Sequence, residues 1–337
     1  MHIRPIDLDD DAEVHAYYAV FRDAKLADNP DRPMWSEPEM RAHFKEPDGA
    51  EDSFCQGAFE GNEQRLVGGS FTFYPLLDNT SMVYAAIFVA PGERRHGFGS
   101  ALVDDVVNKA VSDGRTTVLS QSTYAFDRRD DHPYRRFAEH LGFTAASTEI
   151  SRKLDLPLPD DQLQGWIDEA APFHGDYRIE TFASEMPDSL LPSVCHVLNQ
   201  LIADAPTGDL EFEPEQMTPE IYRQREARNK RLGLERYDTV AIDASGSAVG
   251  VTTIGVPVGD PEKFHQWATI VLKEHRGNRL GLALKARNLR AVQRDHPQRT
   301  SIHTQNEETN GPMVDINERM GFKPLELVVE FQRKLDA

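Results

Sequence analysis

The apolar positions of this chain follow two rhythms that take turns. Residues 53–59, 65–74 and 82–89 are runs rich in β-branched and aromatic side chains. They predict three strands of an antiparallel meander, with Glu60-Gly61-Asn62 as a turn. Phe98, Leu102, Val106 and Ala110 then recur every fourth residue, which is one stripe of a helix. The same succession returns later: strands at 237–242, 248–256 and 265–272, a turn at Ser245-Gly246, and a looser stripe of Leu280, Leu284, Ala291 and Val292. Each series is preceded by an opening strand (2–6 and 176–180) and by two helices. These helices are 11–21 and 39–44 in the first series, 191–203 and 218–231 in the second. Each is followed by a strand (116–120 and 300–304), a helix, a Gly-Phe pair and a last strand. The class this predicts is α+β: a mostly antiparallel mixed sheet flanked by helices on both faces, built twice.

The two series are copies of one another. VAPGERRHGFGSALV around Val89 aligns with VLKEHRGNRLGLALK around Val271. Leu141-Gly142-Phe143 aligns with Met320-Gly321-Phe322, and the Arg152-Lys153-Leu154-Asp155 ending with Arg333-Lys334-Leu335-Asp336. Three matches in one order at a nearly constant offset mean a duplicated domain, since the period is far too long for a solenoid. The expected organisation is a first domain at 1–155, a linker at 156–173 and a second domain at 174–337. The linker carries Leu156-Pro157-Leu158-Pro159, which cannot continue a sheet. Trp166 reads as its anchor.

Charge narrows the choice of ligand. The 337 residues hold 37 Lys+Arg against 56 Asp+Glu, a net charge of −19. Such a surface speaks against nucleic acid, which needs a basic footprint, and favours cationic small molecules. Residues 251–300 are the exception, with 9 basic and 4 acidic side chains. No apolar run approaches the roughly 18 residues of a membrane span. The N-terminus lacks a signal pattern, so the expected location is cytoplasmic. Cys55 and Cys195 are too few for a disulfide framework and read as core residues. His96, His132, His140 and His303 show no metal spacing, so no metal is expected.

In each copy a strand, a loop rich in Gly and Arg, and a helix start follow one another directly. Free N–H groups at a helix start, glycine that lets a ligand approach, and arginine together suit a phosphate. Neither the Walker A ending nor the dinucleotide fingerprint is present.

At these residues the chain resembles the GNAT superfamily of N-acetyltransferases, in particular its tandem-domain members. The signature is complete in the first copy, at Val89, Arg94, Gly97 and Gly99. The second copy has Val271, Arg276 and Gly281, but Arg279 stands where the first Gly belongs. Its side chain could reach a phosphate. The resemblance implies acetyl-CoA as donor, with the pyrophosphate on the loop and the pantetheine arm along the preceding strand. The implied cofactor residues in the second copy are Ile270, Val271, Leu272, Arg276, Gly277, Asn278, Arg279, Leu280, Gly281, Leu282 and Ala283, with Asn306, Asn310 and Met313 beyond them. In the first copy they are Phe88, Val89, Arg94, Arg95, His96, Gly97, Phe98, Gly99 and Ser100.

Acetyl transfer needs an amine base, an oxyanion site and a leaving thiolate. The family's sulfur-protonating Tyr is absent: Asn317 replaces it in the second copy and Ala138 in the first. Asn317 could donate to the sulfur instead. By its place upstream of the signature, His265 is the candidate base; an ordinary strand-end histidine is the alternative. The first copy offers only Met82 and Tyr84 there. Glu307 and Glu308 face the acceptor or serve as caps. The expected function is an acetyl-CoA-dependent N-acetyltransferase acting on a small, cationic amine through direct attack in a ternary complex, with the second domain catalytic. The alternative is a non-catalytic acyl-CoA-binding or sensing protein. A tandem GNAT transferring amino acids from tRNA would need a basic groove, which the net charge disfavours. The acceptor amine is the expected partner, with no nucleic acid or membrane, in a monomer or homodimer.

Overall fold

The structure is a computed structural model that describes all residues except 28, 47–48, 62–64, 202–207, 215 and 336–337. The proposed turn residue Asn62 and the end of the proposed helix 191–203 lie outside the described residues. The chain forms two compact units. One holds Met1–Thr148, Gly208–Glu211 and Glu326–Ala337; the other holds Glu149–Thr207 and Phe212–Leu325.

The first unit opens with β1 (His2–Pro5), α1 (Asp11–Leu26) and α2 (Glu37–Lys45). Asp10 caps α1 through its carboxylate, and Ser36 with Glu39 forms a capping box on α2. The predicted meander follows as β2 (Glu51–Glu60), β3 (Arg65–Pro75) and β4 (Met82–Val89). Then come α3 (Phe98–Ser112), β5 (Thr117–Tyr124), α4 (Pro133–His140) and β6 (Thr144–Asp155). Val14, Tyr17 and Phe21 line one face of α1 and pack on Phe71 and Phe88. The Tyr17 hydroxyl donates to the Ser70 carbonyl at 2.7 Å, which satisfies it inside that core. The predicted stripe of α3 is buried in full.

The second unit starts with α5 (Asp160–Ala170) and β7 (Arg178–Ala183). It continues through α6 (Leu191–Asn199), α7 (Pro219–Arg231), β8 (Glu235–Ile242), β9 (Ala248–Val256) and β10 (Lys263–Val271). It ends with α8 (Leu280–Asp295), β11 (Ser301–Glu307), α9 (Gly311–Met320) and the start of β12 (Lys323–Lys334). Within each unit the strand pairing is mixed and mostly antiparallel, as expected. The parallel neighbours are β4 with β5 and β10 with β11.

The domain boundaries need correction. The last strand of each copy serves the other copy's sheet. Glu149–Asp155 of β6 pair with β11, and Leu327–Lys334 of β12 pair with β5. The sequence could not reveal this, because the two strands are near-copies and each fits either sheet edge. The 156–173 segment is not a bare linker. Its α5 buries Leu163, Trp166 and Ile167 in the second unit's core.

The exchanged end of β12 is clamped. Glu326 accepts from Arg32 Nη2 at 2.7 Å and from Nε at 3.1 Å, and Arg32 also donates to the Thr123 and Lys25 carbonyls. Both side chains are nearly buried. Removing one partner leaves the other charge stranded, which costs about 3–5 kcal/mol. Glu326→Ala is therefore expected to destabilise the first unit by about that much in denaturant unfolding. An Arg32→Met, Glu326→Leu double variant should recover most of the loss. Equal destabilisation by the double variant would refute the clamp.

Candidate functional site

In each unit the parallel ladder is short. β4 and β5 pair only from Met82 to Tyr84, and β10 and β11 only from Lys263 to His265. All four strands continue past the last pair. Beyond it each follows its antiparallel neighbour instead. Val89 pairs with Gly68 of β3 while Tyr124 pairs with Leu327 of β12. Val271 pairs with Gly250 of β9 while Glu307 pairs with Glu149 of β6. A wedge with unpaired backbone edges opens in each sheet, at the strand ends that lead to the loops.

The loops share one backbone design. A 3₁₀ turn leaves each strand, at Pro91–Glu93 and Lys273–His275. Two left-handed residues follow. In the first unit they are Arg95 (φ 71°) and Gly97 (φ 86°); in the second, Gly277 (φ 84°) and Arg279 (φ 52°). Glycine and arginine have exchanged places. Arg279 therefore keeps the backbone that the missing glycine would give, at the cost an L-residue bears there. Alternating left-handed residues turn successive N–H groups into an anion-binding concavity. Neither α3 nor α8 has a side-chain cap, unlike α1 and α2. Their first N–H groups are thus left for a ligand or solvent.

The side chains of the loops take separate roles. Arg276 Nε donates to the Val271 carbonyl at 3.0 Å, tying the loop to the strand. Arg94 reaches the Ala24 carbonyl at 3.3 Å and lies 5.6 Å from the Tyr134 ring centroid. Asn278 donates to the His275 carbonyl. Arg95, His96 and Gly97 are exposed. The Arg279 side chain is not free to meet a phosphate. It ion-pairs with Glu169 and stacks on Phe173, 4.1 Å from the ring centroid. A Cβ on Gly99 would meet Phe137 at 3.0 Å, and one on Gly281 would meet Ile316 at the same distance. These glycines serve helix packing as well as ligand approach. Phe88, Phe98, Ile270, Leu272, Leu280, Leu282 and Ala283 have buried side chains, so they can offer only backbone groups. Val89, Ser100, Val271, Asn310 and Met313 are half-buried.

Only the second wedge contains a bulge. Between Gln266 and Thr269 the β10 register slips by one residue, so Trp267 and Ala268 share one partner position on β9. β4 runs regularly along β3. The bulge is held by a buried polar network. Gln266 Nε2 donates to the Thr253 carbonyl at 2.8 Å and to Thr252 Oγ1 at 3.1 Å, and Thr304 Oγ1 bridges from β11 to the Gln266 carbonyl. Trp267 is exposed and lies over Gly255. His265 sits in register with His303 as the last parallel pair, at the apex of the wedge, half-buried. Sequence reasoning missed the bulge and Gln266, since register slips leave no residue signature.

Asn317 requires correction. It is fully buried, and its amide donates to Asn306 Oδ1 at 3.1 Å. Asn306 accepts from Arg152 Nη1 at 2.8 Å as well. Helical periodicity places 313, 317 and 320 on one inward stripe of α9. Asn317 is thus a core residue and not a donor facing the wedge, and Asn306 is committed in the same network. Arg152 was also missed. Its signal was a charge on the inward side of the Ile150, Arg152, Leu154 alternation.

Much of the basic window 251–300 is committed to internal pairs. Arg279 meets Glu169, Arg290 meets Asp160, Arg294 meets Asp295 and Lys263 meets Asp260. Arg299 is buried against backbone carbonyls. Lys285 is fully buried one turn into α8, its ammonium 5.1 Å from the Phe322 ring centroid. Burial lowers its pKa from 10.5 to about 7. Cys55 and Cys195 are buried in the cores, and burial pushes the Cys195 thiol up to about 11. No helix among the described residues is long and apolar enough to cross a membrane.

With this geometry in place, comparison with known proteins is direct. Residues 15–143 match the acetyltransferase (GNAT) family. The first copy is a GNAT domain. Over its whole length the chain is similar to a tandem GNAT protein from the clavulanic acid biosynthesis pathway, in a form without acetyl-CoA. That match has 23% identity, a TM-score of 0.79, and covers 100% of this chain and 99% of the other. A GCN5-related N-acetyltransferase from Sphaerobacter thermophilus aligns at 14% identity and TM-score 0.67, covering 100% and 96%. At such identities these two matches establish the fold. No curated protein is similar to the chain in sequence at a significant level. The chain therefore has the tandem GNAT fold.

Two outcomes test this tandem GNAT site. Arg279→Ala and Arg279→Gly both lose the Glu169 and Phe173 contacts, so their difference isolates the left-handed backbone. The Gly variant should be more stable by about 1 kcal/mol; equal stabilities would contradict the strain. For Lys285, the unfolded chain holds its proton up to about 10.5 while the folded chain releases it near 7. Unfolding between those values takes up a proton, so stability falls as pH drops from about 10.5 to about 7. Lys285→Met should flatten that slope and stabilise the protein at pH 7, as read by denaturant unfolding across the range.

Proposed function

We propose that this tandem GNAT protein is an acetyl-CoA-dependent N-acetyltransferase for a small, cationic amine, with its chemistry in the second unit. The observation that carries the assignment is the β10 bulge, which lies in the second wedge between His265 and the loop and has no counterpart in β4. The left-handed loops and uncapped helix starts fit a pyrophosphate in both units. In the second, the backbone of 276–283 would hold it, with the β10 segment from Thr269 alongside the pantetheine arm.

Bound there, acetyl-CoA supplies an acetyl group activated as a thioester. The protein's share is positioning, proton handling and charge stabilisation. An alkylammonium acceptor has a pKa near 10 and must lose a proton before it attacks. That first proton goes to solvent, and His265, at the wedge apex, takes the second as the free amine attacks and the C–N bond forms. In this reading backbone N–H groups of the bulge receive the developing oxyanion. The C–S bond then breaks to a thiolate. With a thiol pKa near 8.5 this is a tolerable leaving group without a protein acid. The exposed Trp267 offers a wall for the acceptor and a face for a cation.

A second reading is favoured by one observation: the residue in the acid's place, Asn317, is sealed in the core. In that reading both units bind acyl-CoA without turnover.

Calorimetric titration with acetyl-CoA, paired with rates on a broad amine panel, tests both. Gly281→Glu should remove binding in the second unit, and Gly99→Glu in the first. His265→Gln should leave acetyl-CoA affinity intact and lower kcat by about 10²–10⁴. An unbound donor would overturn the donor assignment. Binding without turnover would leave the second reading. A fully active His265→Gln would remove the proposed base.

A further inference from the structure

The second unit has a cavity of about 800 Å³ between α5, the C-terminal half of α8 and the edge strand β7. Arg290, on its wall, is ten residues along α8 from Leu280, roughly 15 Å from the loop that opens the helix. The cavity is thus separate from the wedge. Its size suits a small molecule.

Three arginines of α8 face it: Arg287, Arg290 and Arg294. Two are spent. Arg290 forks the Asp160 carboxylate at 2.6 and 2.7 Å, and Arg294 holds Asp295 at 2.8 and 3.2 Å. Arg287 has neither a hydrogen bond nor a carboxylate partner among the described residues, and its Nε is sealed from solvent without an acceptor. An arginine keeps its charge, and a sealed donor without an acceptor is costly. His174, buried and within electrostatic reach of Arg287, has a ring nitrogen in the same condition. His174 itself does not line the cavity, whose wall beside Arg287 carries the apolar Ile167, Ile179, Ala183 and Ala291.

We propose that this cavity is a second ligand site, for a small amphipathic monocarboxylate. Its carboxylate lies on the two Nη groups of Arg287, which unlike Nε are not sealed, and its hydrocarbon body against Ile167 and Ile179. A planar two-oxygen anion matches a guanidinium better than a point charge does. One uncommitted arginine balances one negative charge, and the other charges of the wall cancel in the Arg290–Asp160 and Arg294–Asp295 pairs, so a second negative charge finds no partner. A dianionic phosphate is therefore excluded from the class.

The test uses the full chain with hexanoate and phenylacetate as probes, hexanamide as the neutral control and inorganic phosphate as the dianion. Calorimetry and NMR shifts should give saturable one-to-one binding of a carboxylate in the millimolar range or tighter. Hexanamide should bind at least about tenfold more weakly, and phosphate should not compete. Arg287→Met, checked by circular dichroism, should weaken the carboxylate at least about tenfold. Arg22→Met, an exposed arginine of α1 in the first unit, should not change it. Should Arg287→Met fail to fold, Arg287→Lys keeps the charge without the fork and should weaken binding severalfold, with Ile179→Ser cutting hexanoate affinity too. No saturable carboxylate binding, undiminished binding in the Arg287 variants, or preference for phosphate would each overturn the site.

Discussion

A strand that must satisfy two neighbours can be drawn away from one of them, and the wedges of this protein exist because of it. β10 and β11 stay parallel for three residue pairs and then separate, since β9 holds the far end of one and Glu149–Asp155 of β6 the far end of the other. The first unit repeats the arrangement with β3 and β12. In both cases the ladder that pulls the second strand aside comes from the exchanged segment. Loss of that strand would leave β5 or β11 with a bare edge and nothing to hold the wedge open. The site in each unit thus depends on residues encoded at the end of the other copy. The buried Arg32–Glu326 pair shows how firmly one of those ends is fixed.

Around this shared frame the copies have diverged in ways that keep the backbone and change the side chains. The loop needs two left-handed residues, and each copy spends one glycine and one arginine on them, in opposite order. Arg279 tolerates its position because its guanidinium gains Glu169 and Phe173. Those partners come from α5 and the turn after it. The same helix supplies Asp160 to Arg290. The acidic segment between the copies is therefore what neutralises much of the basic window. Exposed ion pairs are individually worth little, but here they dock a helix whose Trp166 and Leu163 also bury apolar surface.

Much of this was legible in the sequence. Periodicity located nearly every strand and helix of both copies, because each strand is half-buried and each helix has one apolar stripe. The duplication located the two loops. What escaped had no local signature. Strand exchange is a choice between two nearly identical partners, Ser151-Arg152-Lys153-Leu154 and Gln332-Arg333-Lys334-Leu335, so no pattern within either strand reveals it. The bulge at Gln266 is a register shift, which composition does not record. The basic window was legible as a count but not as a surface, since pairing depends on an α5 that prolines had marked as linker. Asn317 was placed by alignment with a family position, when its spacing from Met313 and Met320 already put it on an inward face.

That last residue bears on the chemistry. Asn317 holds Asn306, and Asn306 meets Arg152, which is nearly inaccessible and has no carboxylate within ion-pair distance among the described residues. Burial lowers the Arg152 pKa, with Glu318 and Glu308 acting more weakly in the opposite sense. A buried guanidinium without a counter-ion needs neutral oxygens aimed at it, and Asn306 supplies one that Asn317 in turn orients. A phenol at 317 would be larger and would compete for the same oxygen. The place where a sulfur-protonating tyrosine would stand is thus taken up in holding a cation brought by the exchanged strand. Catalysis in this unit must then rest on groups of β10 itself: a base at the apex, backbone donors at the bulge, and a leaving thiolate acidic enough to depart without help.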